Sequence, residues 1–382
     1  MADQLYLPTA DGGRGISDAL HETDFIIEVA HALHDETWIH PKDDARFHFS
    51  LPGSVQGFRS PHNVRVENTH HPIELGQRVL ALHYHLESNR TSTVLTPTFI
   101  PPSAMEMAGY GLLASPTLYP GQTVRAALLA DTKNTGSAAV AIQLQIYGQD
   151  DELFDAHGPV KNLAPGQSID LEWQVPDLGG APIAQVGISI SADQAAQGVV
   201  YLDRLSWDGL PDVTFRRPEK PGKMWKRQWV NAADYFEDEL GETFRVIQNQ
   251  GRGLIIIGTR EWTDYSLQAS ITPHLAKAFG LAARVQGLER YYAVVLSNRK
   301  SIQLIKRLDG EIVLAEQEFN WEFGQPYDLE IAVMGNQISA SVDGAVLFEI
   351  QDENRPLTGG GTALVCEEGR IGTDAVNVRP KL

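Results

Sequence analysis

Short segments in which apolar and polar residues alternate follow one another from about residue 45 to the end of the 382-residue chain. Successive side chains of a β-strand point to opposite faces of its sheet, so a period of two predicts strands and not helices. Such segments include RVLALHYHLE, AVAIQLQIYG and GVVYLDRLSW in the first half and DYSLQASI and FGLAARVQ in the second. Proline, glycine and asparagine separate them, which is typical of an all-β chain that folds into sandwiches.

The segment 291–316, YYAVVLSNRKSIQLIKRLDGEIVLAE, shows this pattern most clearly. Both faces of its first strand are apolar or aromatic, which indicates a strand that is covered on both sides. Asp309 and Gly310 then supply the backbone conformation of a tight hairpin turn. We therefore predict an antiparallel sheet here.

The length of the chain and one interruption of the alternation indicate two domains. A single core stops growing beyond roughly 250 to 300 residues, which the chain exceeds. A basic, proline-bearing run, FRRPEKPGKMWKRQW, separates the two alternating halves and suggests a domain boundary. We predict β-sandwich domains at 45–214 and 229–382, joined by a linker at 215–228.

Only the N-terminal segment, residues 1–44, has a pattern that favours a helix. Apolar residues recur at roughly helical spacing in 15–35, GISDALHETDFIIEVAHALHD, and this spacing predicts one short amphipathic helix. Thr23 or Asp24 is able to cap it.

Charge and cysteine content exclude several classes of partner. The chain has 31 Lys and Arg against 49 Asp and Glu, a net charge of −18. Such a charge repels nucleic-acid phosphates and anionic lipid surfaces, so we expect neither as a partner. No run approaches the roughly 18 apolar residues of a membrane helix, and no signal peptide is visible. The single cysteine, Cys366, excludes an intramolecular disulfide framework and slightly favours the cytoplasm, while localisation stays open. Because Glu367 and Glu368 would raise its pKa, Cys366 is a poor candidate nucleophile.

The segments GSVQGFR, GQRVLALHYH, YPGQTVRAALLADTKNTG and GVVYLDRLSWDG follow one another between about residues 45 and 210. This span resembles the galactose-binding-like jelly-roll carbohydrate-binding modules. It implies a carbohydrate ligand. Many members of this family hold a structural calcium ion, but the acidic residue that usually opens the domain is missing here. Asp203 in the closing strand is the one remaining calcium candidate that the resemblance implies.

The segments EWTDYSLQASI, AFGLAARVQ, YYAVVLSN, IQLIKR and GRIGTDAVNV follow one another between about residues 225 and 380. This span resembles concanavalin A-like jelly-roll domains of the laminin-G-like type. The two domains together look like the C-terminal accessory region of bacterial ADP-ribosylglycohydrolase-family proteins. This resemblance implies a catalytic hydrolase domain as a partner, because the metal-binding signatures of that family have no convincing match in this sequence.

Ten of the twelve histidines lie between residues 21 and 85, which raises the question of a metal site. A zinc site needs three or four convergent ligands, and no acid or cysteine stands at a suitable spacing. We therefore predict no zinc site and no cofactor, with a structural calcium ion as the remaining alternative.

A polar sheet face is the candidate binding surface of the first domain. His83 and His85 alternate with apolar residues in one segment, as do Gln143, Gln145 and Tyr147 in another. Imidazoles and carboxamides offer directional hydrogen bonds to sugar hydroxyls, and an aromatic ring can cover the apolar side of a pyranose. We predict that these five residues bind a carbohydrate; the alternative is an ordinary solvent-facing sheet.

Arg284 is the candidate polar anchor of the second domain. It lies in an otherwise apolar strand, FGLAARVQ, so its charge needs either an acidic partner or a ligand's hydroxyls. Asp264, Glu289 and Glu330 are the candidate partners. Glu330 and its neighbour Asp328 alternate with apolar residues and are expected to face a groove.

Trp262, Tyr292 and Trp321 are the candidate stacking surfaces of the second domain. The predicted function is therefore non-catalytic binding of a glycan or glycoside, as an accessory region of a carbohydrate-active or ADP-ribose-hydrolysing enzyme. The alternative is a glycoside hydrolase that uses Asp264 and Glu330, although the sequence lacks the paired acids of a glucanase strand. A structural assembly module is a third possibility.

Overall fold

The structure, a computed structural model, describes residues 45–61, 64–99, 115–238 and 241–381. In this part of the chain nearly all regular structure is β, and the helix α1 (Met224–Arg227) is a single turn. The predicted all-β class is confirmed. The helix expected at 15–35 lies outside the described residues.

The strands of the first half form two sheets of five strands each. They are β1 (Val64–His70), β2 (Arg78–Leu86), β3 (Arg90–Pro97), β4 (Thr123–Ala130), β5 (Ala138–Tyr147), β6 (Leu153–His157), β7 (Lys161–Leu163), β8 (Ser168–Gln174), β9 (Ile183–Ala192) and β10 (Ala196–Asp208). Sheet A has the order β1-β2-β10-β4-β8. Sheet B has the order β3-β9-β5-β6, with β7 also beside β5.

Sheets A and B face each other across one apolar core. Sheet A contributes Leu80 and Leu82 of β2, and sheet B contributes Ile142, Leu144 and Ile146 of β5. Because side chains alternate along a strand, the polar residues between these positions lie on the outer faces of the sandwich.

The strands of the second half also form two packed sheets. They are β11 (Val213–Arg216), β12 (Val230–Ala232), β13 (Tyr235–Glu237), β14 (Phe244–Ile257), β15 (Tyr265–Pro273), β16 (Ala278–Gly287), β17 (Arg290–Ser297), β18 (Ser301–Leu308), β19 (Glu311–Glu318), β20 (Tyr327–Met334), β21 (Gln337–Val342), β22 (Ala345–Gln351), β23 (Gly361–Thr373) and β24 (Ala375–Pro380). Sheet C has the order β11-β24-β15-β20-β21-β22. Sheet D has the order β14-β23-β16-β17-β18-β19, with β12 and β13 paired to β14. The end of β15 also pairs with β23, which joins the two sheets at one corner.

The hairpin of β17 and β18 has the antiparallel pairing that the sequence predicts, with Tyr291 opposite Arg307. Tyr292 and Val294 face the core between sheets C and D, while Tyr291 and Ala293 belong to a second apolar cluster on the other face of sheet D. All four side chains are buried. The prediction that this strand is covered on both sides is confirmed.

A β-bulge interrupts β16 at Arg284. The pairing of β16 with β23 shifts between Ala283 and Val285, and Arg284 has a φ of 50°, which is unusual for a residue with a side chain. Ala283 faces the core between the sheets, whereas Val285 packs in the cluster on the outer side of sheet D. The bulge turns the Arg284 side chain into the interior of the sandwich.

The segment predicted as a linker at 215–228 packs closely against the second sandwich. It begins within β11, which pairs with β24, and it continues into α1. Phe215, Trp225 and Trp229 belong to the core between sheets C and D. Tyr119, from the first half of the chain, joins the same core with its ring centroid 4.8 Å from that of Trp262. The segment is therefore ordered by burial of its aromatic side chains; the exact domain boundary stays a prediction.

Candidate ligand groove

The polar residues predicted to share one face of the first sandwich lie on opposite sides of it. His83 and His85 belong to β2 in sheet A, whereas Gln143, Gln145 and Tyr147 belong to β5 in sheet B. Alternation predicts which residues of a strand point outward, but it does not reveal which sheet the strand joins. The prediction of one shared face is therefore wrong, because the core of the sandwich separates the two sets.

The residues near His83 are already paired with one another. Glu67 lies 3.2 Å from the His83 ring and 2.5 Å from the Arg65 guanidinium. The hydrogen bond from Arg65, with its charge, holds the pKa of Glu67 below its usual value. His85 is exposed on the same sheet. This part of sheet A thus has its charges satisfied within the protein.

On sheet B the three candidates differ in accessibility. Gln143 is only 5% exposed, and the Gln145 carboxamide donates to Asp155 at 3.4 Å. Tyr147 is half-buried at the end of β5, where it lines a cleft between the two halves of the chain. Only Tyr147 of this set therefore borders a cavity among those described here.

Arg284 is completely buried, and its guanidinium is used by the protein itself. It donates to the Thr263 carbonyl at 2.9 Å, to the Gly335 carbonyl at 2.6 Å and to the Asp264 carboxylate at 3.2 Å. Of the three candidate acids, Asp264 is therefore the partner of Arg284. Because the bulge directs the side chain inward, Arg284 is not presented to a ligand.

The predicted stacking residues are also largely enclosed. Trp262 and Tyr292 are completely buried, and the Tyr292 hydroxyl donates to Asp352, which also binds Lys306 at 2.6 Å. Trp321 is half-buried, and its ring nitrogen donates to the Ser297 carbonyl at 2.8 Å. Trp262 and Tyr292 therefore stabilise the sandwich, and Trp321 is the only one of the three with a partly open ring.

Glu330 lies where the alternation predicts, on the outer face of sheet C. There it borders a depression of about 500 Å³ formed by β20, β21 and β22. We call this depression the sheet C groove. Its outward-facing lining residues are Glu330, Ala332, Met334, Gln337, Ser339, Ser341, Val346, Glu349, Gln351 and Lys381.

The groove residues form a regular grid across three strands. Ser341 stands between Glu330 and Val346, and Ser339 stands between Ala332 and Glu349. Neighbouring strands lie about 4.8 Å apart, and successive rows on one face lie about 7 Å apart. The backbone of a packed sheet therefore fixes the spacing of these polar groups before any ligand arrives.

Most of the polar side chains in the sheet C groove have no protein partner. In the described part of the chain, no hydrogen bond or ion pair joins the side chains of Glu330, Gln337, Ser339, Ser341 or Glu349 to another residue. Carboxylates accept hydrogen bonds, whereas hydroxyls and carboxamides both donate and accept. The groove can thus offer both kinds of hydrogen bond to a ligand.

A second depression, of about 350 Å³, continues the polar face toward β24. Gln268, Ser270, Asp328 and Asn377 line it. Gln268 is the register neighbour of Glu330, so the two depressions meet across β15 and β20. Sheet C thus presents one extended polar surface, and Asp328 faces it as the alternation predicts.

Asp264, the second acid of the hydrolase alternative, does not line the groove. Its carboxylate accepts from the Gly335 backbone N–H at 2.7 Å and from Arg284. These bonds hold it at the turn between β20 and β21. The structure does not bring Asp264 and Glu330 together as a facing pair of acids in this groove.

The described residues contain neither a candidate metal site nor a helix that could span a membrane. No group of three or more His, Cys, Asp or Glu side chains in those residues could hold a metal ion, and Asp203 belongs to no such group. None of the helices found there has the length and hydropathy to cross a bilayer. Cys366 is buried, and burial raises the pKa of its thiol to about 12.

No protein-family model matches the chain, and no curated protein matches it. Among solved structures, the carbohydrate-binding module CBM66 of Bacillus subtilis is similar over 40% of this chain and 94% of its own, with 15% identity and a TM-score of 0.36. A galectin of Caenorhabditis elegans is similar over 35% of this chain and 95% of its own, with 16% identity and a TM-score of 0.28. A xylan-binding domain, CBM22, is similar over 44% of this chain and 96% of its own, with 14% identity and a TM-score of 0.30.

Sequence reasoning found Glu330 but missed most of its neighbours in the groove. The signal was present, because Gln337, Ser339 and Ser341 alternate with apolar residues in QISASV. Glu349 and Gln351 follow the same rule in the next strand. The missing information was that β20, β21 and β22 are consecutive neighbours in one sheet, which places their polar faces side by side.

Proposed function

We propose that the sheet C groove binds a hydroxyl-rich oligosaccharide. The observation that carries this proposal is the set of polar side chains, fixed in a grid on a packed sheet, that have no partner within the described protein. Hydroxyls of a sugar are both donors and acceptors, and the groove supplies carboxylates, carboxamides and hydroxyls to match them.

Two exposed apolar side chains complete the chemistry of the groove. Met334 and Val346 are 42% and 60% exposed and line opposite ends of the depression. Apolar contacts of this kind suit the C–H surfaces of a sugar, while Glu330 and Glu349 can accept charge-assisted hydrogen bonds from its hydroxyls. The second depression extends the surface, which favours a ligand of several sugar units.

Binding without cleavage is the activity that we infer. A glycosidase needs two carboxyl groups held across the scissile bond, and Asp264, the proposed partner of Glu330, is bound to Arg284 outside the groove. We also propose that the chain, with its two β-sandwiches, acts as an accessory region beside a hydrolase domain. The resemblance of its segments to such regions supports this second proposal.

The intact chain, screened on a glycan array, should bind at least one oligosaccharide. Isothermal titration with that oligosaccharide should show about three- to tenfold weaker binding for Glu330→Gln and for Gln337→Ala. The first removes the charge and one acceptor oxygen of Glu330, and the second removes the Gln337 carboxamide. Glu353→Gln is the matched control, since Glu353 is exposed and lies outside both depressions.

Unchanged affinity in both groove variants would contradict the proposed site. Release of free sugar by the wild-type chain, lost in Glu330→Gln but kept in Glu353→Gln, would replace the binding function with the hydrolase alternative.

A further inference from the structure

A third cavity, separate from the two depressions on sheet C, lies where the two sandwiches meet, and we call it the inter-sandwich cleft. It has a volume of about 260 Å³, which corresponds to roughly nine water molecules at about 30 Å³ each. One wall comes from Tyr147–Gln149 and from Leu178–Pro182 of the first sandwich. The other wall comes from Arg216–Glu219 and from Trp225. The cleft is large enough for one small ring.

Hydrogen bonds hold the two walls at a fixed separation. The Gly222 N–H donates to the Gln149 carbonyl at 2.9 Å, and the Asp151 carboxylate accepts from the backbone N–H groups of Lys223 and Met224 at 2.8 Å. On the other side, the buried Gln228 carboxamide donates to the Gly180 carbonyl at 2.8 Å. Because these contacts involve both sides of the cleft, its shape is set without a ligand.

The cleft is cationic in a chain whose net charge is −18. Arg216 and Arg217 both line it, and Glu219 is the one acid among its lining residues. Arg217 donates to the Asp238 carbonyl at 2.8 Å. Within the described residues, the Arg216 guanidinium forms no ion pair or hydrogen bond. A planar guanidinium with free donors suits bidentate binding of a carboxylate or phosphate.

Aromatic side chains supply the apolar part of the cleft. The Trp225 ring nitrogen donates to the Gly222 carbonyl at 3.0 Å. Trp225 is only 6% exposed, so just a small part of it borders the cleft. The Tyr147 ring packs edge-to-face against Phe99 at 6.3 Å, and no hydrogen bond of the Tyr147 hydroxyl is found among the described residues. Burial, with the charge of Asp151, raises the pKa of Tyr147, so its hydroxyl remains a hydrogen-bond donor at neutral pH.

We propose that the inter-sandwich cleft binds a monosaccharide-sized ring that carries one carboxylate or phosphate group. Arg216 and Arg217 hold the anionic group, the Tyr147 hydroxyl donates a hydrogen bond, and the ring lies against the half-buried side chains of Tyr147 and Leu178. This site is separate from the sheet C groove and differs from it in ligand charge.

The intact chain should be titrated with glucuronate, glucose 6-phosphate, glucose and inorganic phosphate, each followed by calorimetry. At least one of the two sugar anions should bind, and it should bind at least about tenfold more tightly than glucose or inorganic phosphate. Comparison of the two sugar anions shows whether carboxylate or phosphate is preferred.

Arg216→Ala should weaken that binding about tenfold or more, and Tyr147→Phe about threefold. Arg299→Ala is the charge-matched control, because Arg299 is exposed at the turn after β17. Glu330→Gln should leave binding in the cleft unchanged, which separates this site from the groove. Thermal melting of each variant confirms that it is folded.

Failure of both sugar anions to bind would overturn the proposal. Equal binding of glucose would refute the role of charge, and equal binding of inorganic phosphate would refute the role of the ring. Unchanged affinity in a folded Arg216→Ala variant would also overturn it.

Discussion

The two outer faces of the second sandwich are both rich in polar residues, but they use them differently. On sheet D, Arg252 binds Glu367 at 2.9 Å and Glu311 at 2.6 Å, and Arg307 binds Glu311 at 3.3 Å and pairs with Glu289. On sheet C, none of the groove side chains forms an ion pair with another described residue. Polarity alone therefore does not mark a binding surface; the decisive property is whether the polar groups are already paired.

The two faces also differ in what lies beneath their polar groups. Sheet D carries a second apolar cluster on this side, including Leu254, Tyr291 and Ile305, and its members are buried. Arg252 comes within 3.5 Å of the Tyr291 hydroxyl, so part of the ion-pair network adjoins this cluster. We expect the network to stabilise sheet D, whereas we propose that the sheet C groove binds a ligand.

The largest expected effect concerns the edge of sheet C. A fragment that begins at residue 222 lacks β11, whereas one that begins at residue 211 keeps it. Burial of Val213 and Phe215 contributes about 3 to 6 kcal/mol, so we expect the shorter fragment to be less stable by that amount. Urea unfolding followed by tryptophan fluorescence measures the difference. Equal stability of the two fragments would mean that β11 is dispensable and that a boundary near Pro221 is correct.

A smaller effect should distinguish the two faces directly. Arg252→Ala removes the nearer cation of both Glu311 and Glu367, which keep Arg307 and Lys277 at 3.3 Å. We expect a loss of about 1 to 3 kcal/mol in the free energy of unfolding. Glu330→Ala removes an unpaired side chain and should change that free energy by less than about 0.5 kcal/mol. Chemical denaturation of both variants checks the contrast. Similar losses in the two variants would show that the pairing on sheet D has no stabilising role.

The smallest expected effect is on the pH dependence of stability. Burial raises the pKa of Glu311, but the charges and hydrogen bonds of Arg252 and Arg307 outweigh it and lower the pKa below its usual value of 4.5. A lowered pKa in the folded state contributes stability above the pKa of the unfolded state and loses it as the pH falls. Between about pH 5 and pH 3, wild-type stability should therefore fall more steeply than that of Glu311→Gln. Parallel profiles would refute this coupling.

The fold was largely predictable because alternation is a local property. Each strand records its own inward and outward residues, so the all-β class and the hairpin at Asp309 and Gly310 followed from the sequence. The sheet that a strand joins depends on residues far away in the sequence. For this reason alternation predicts one face for His83 and Gln143, whereas the two residues lie in different sheets. The groove was not predictable for the same reason, because its residues come from three strands whose order in the sheet the sequence pattern does not reveal.

Arg284 shows a second limit of sequence reasoning. The alternation predicts a regular strand through this position, and a bulge of one residue changes the direction of every side chain after it. The need of Arg284 for an acidic partner was still predictable, because a buried cation requires compensation. The burial of Arg284 was not predictable, because most of its guanidinium N–H groups donate to backbone carbonyls of turns that are distant in the sequence.

The Arg284 bulge also restricts which residues evolution can place at this position. A φ of 50° is accepted by glycine or asparagine, but neither carries donors that reach Thr263 and Gly335. Lysine is long enough, yet its single ammonium group cannot replace the planar guanidinium of arginine, which directs several N–H donors to separate acceptors. Gly360 is constrained at the same time, because a Cβ there would lie 2.4 Å from the Arg284 carbonyl carbon. This contact is with the backbone of residue 284, so replacement of the Arg284 side chain does not make room for a Cβ at position 360, and the two positions are constrained separately.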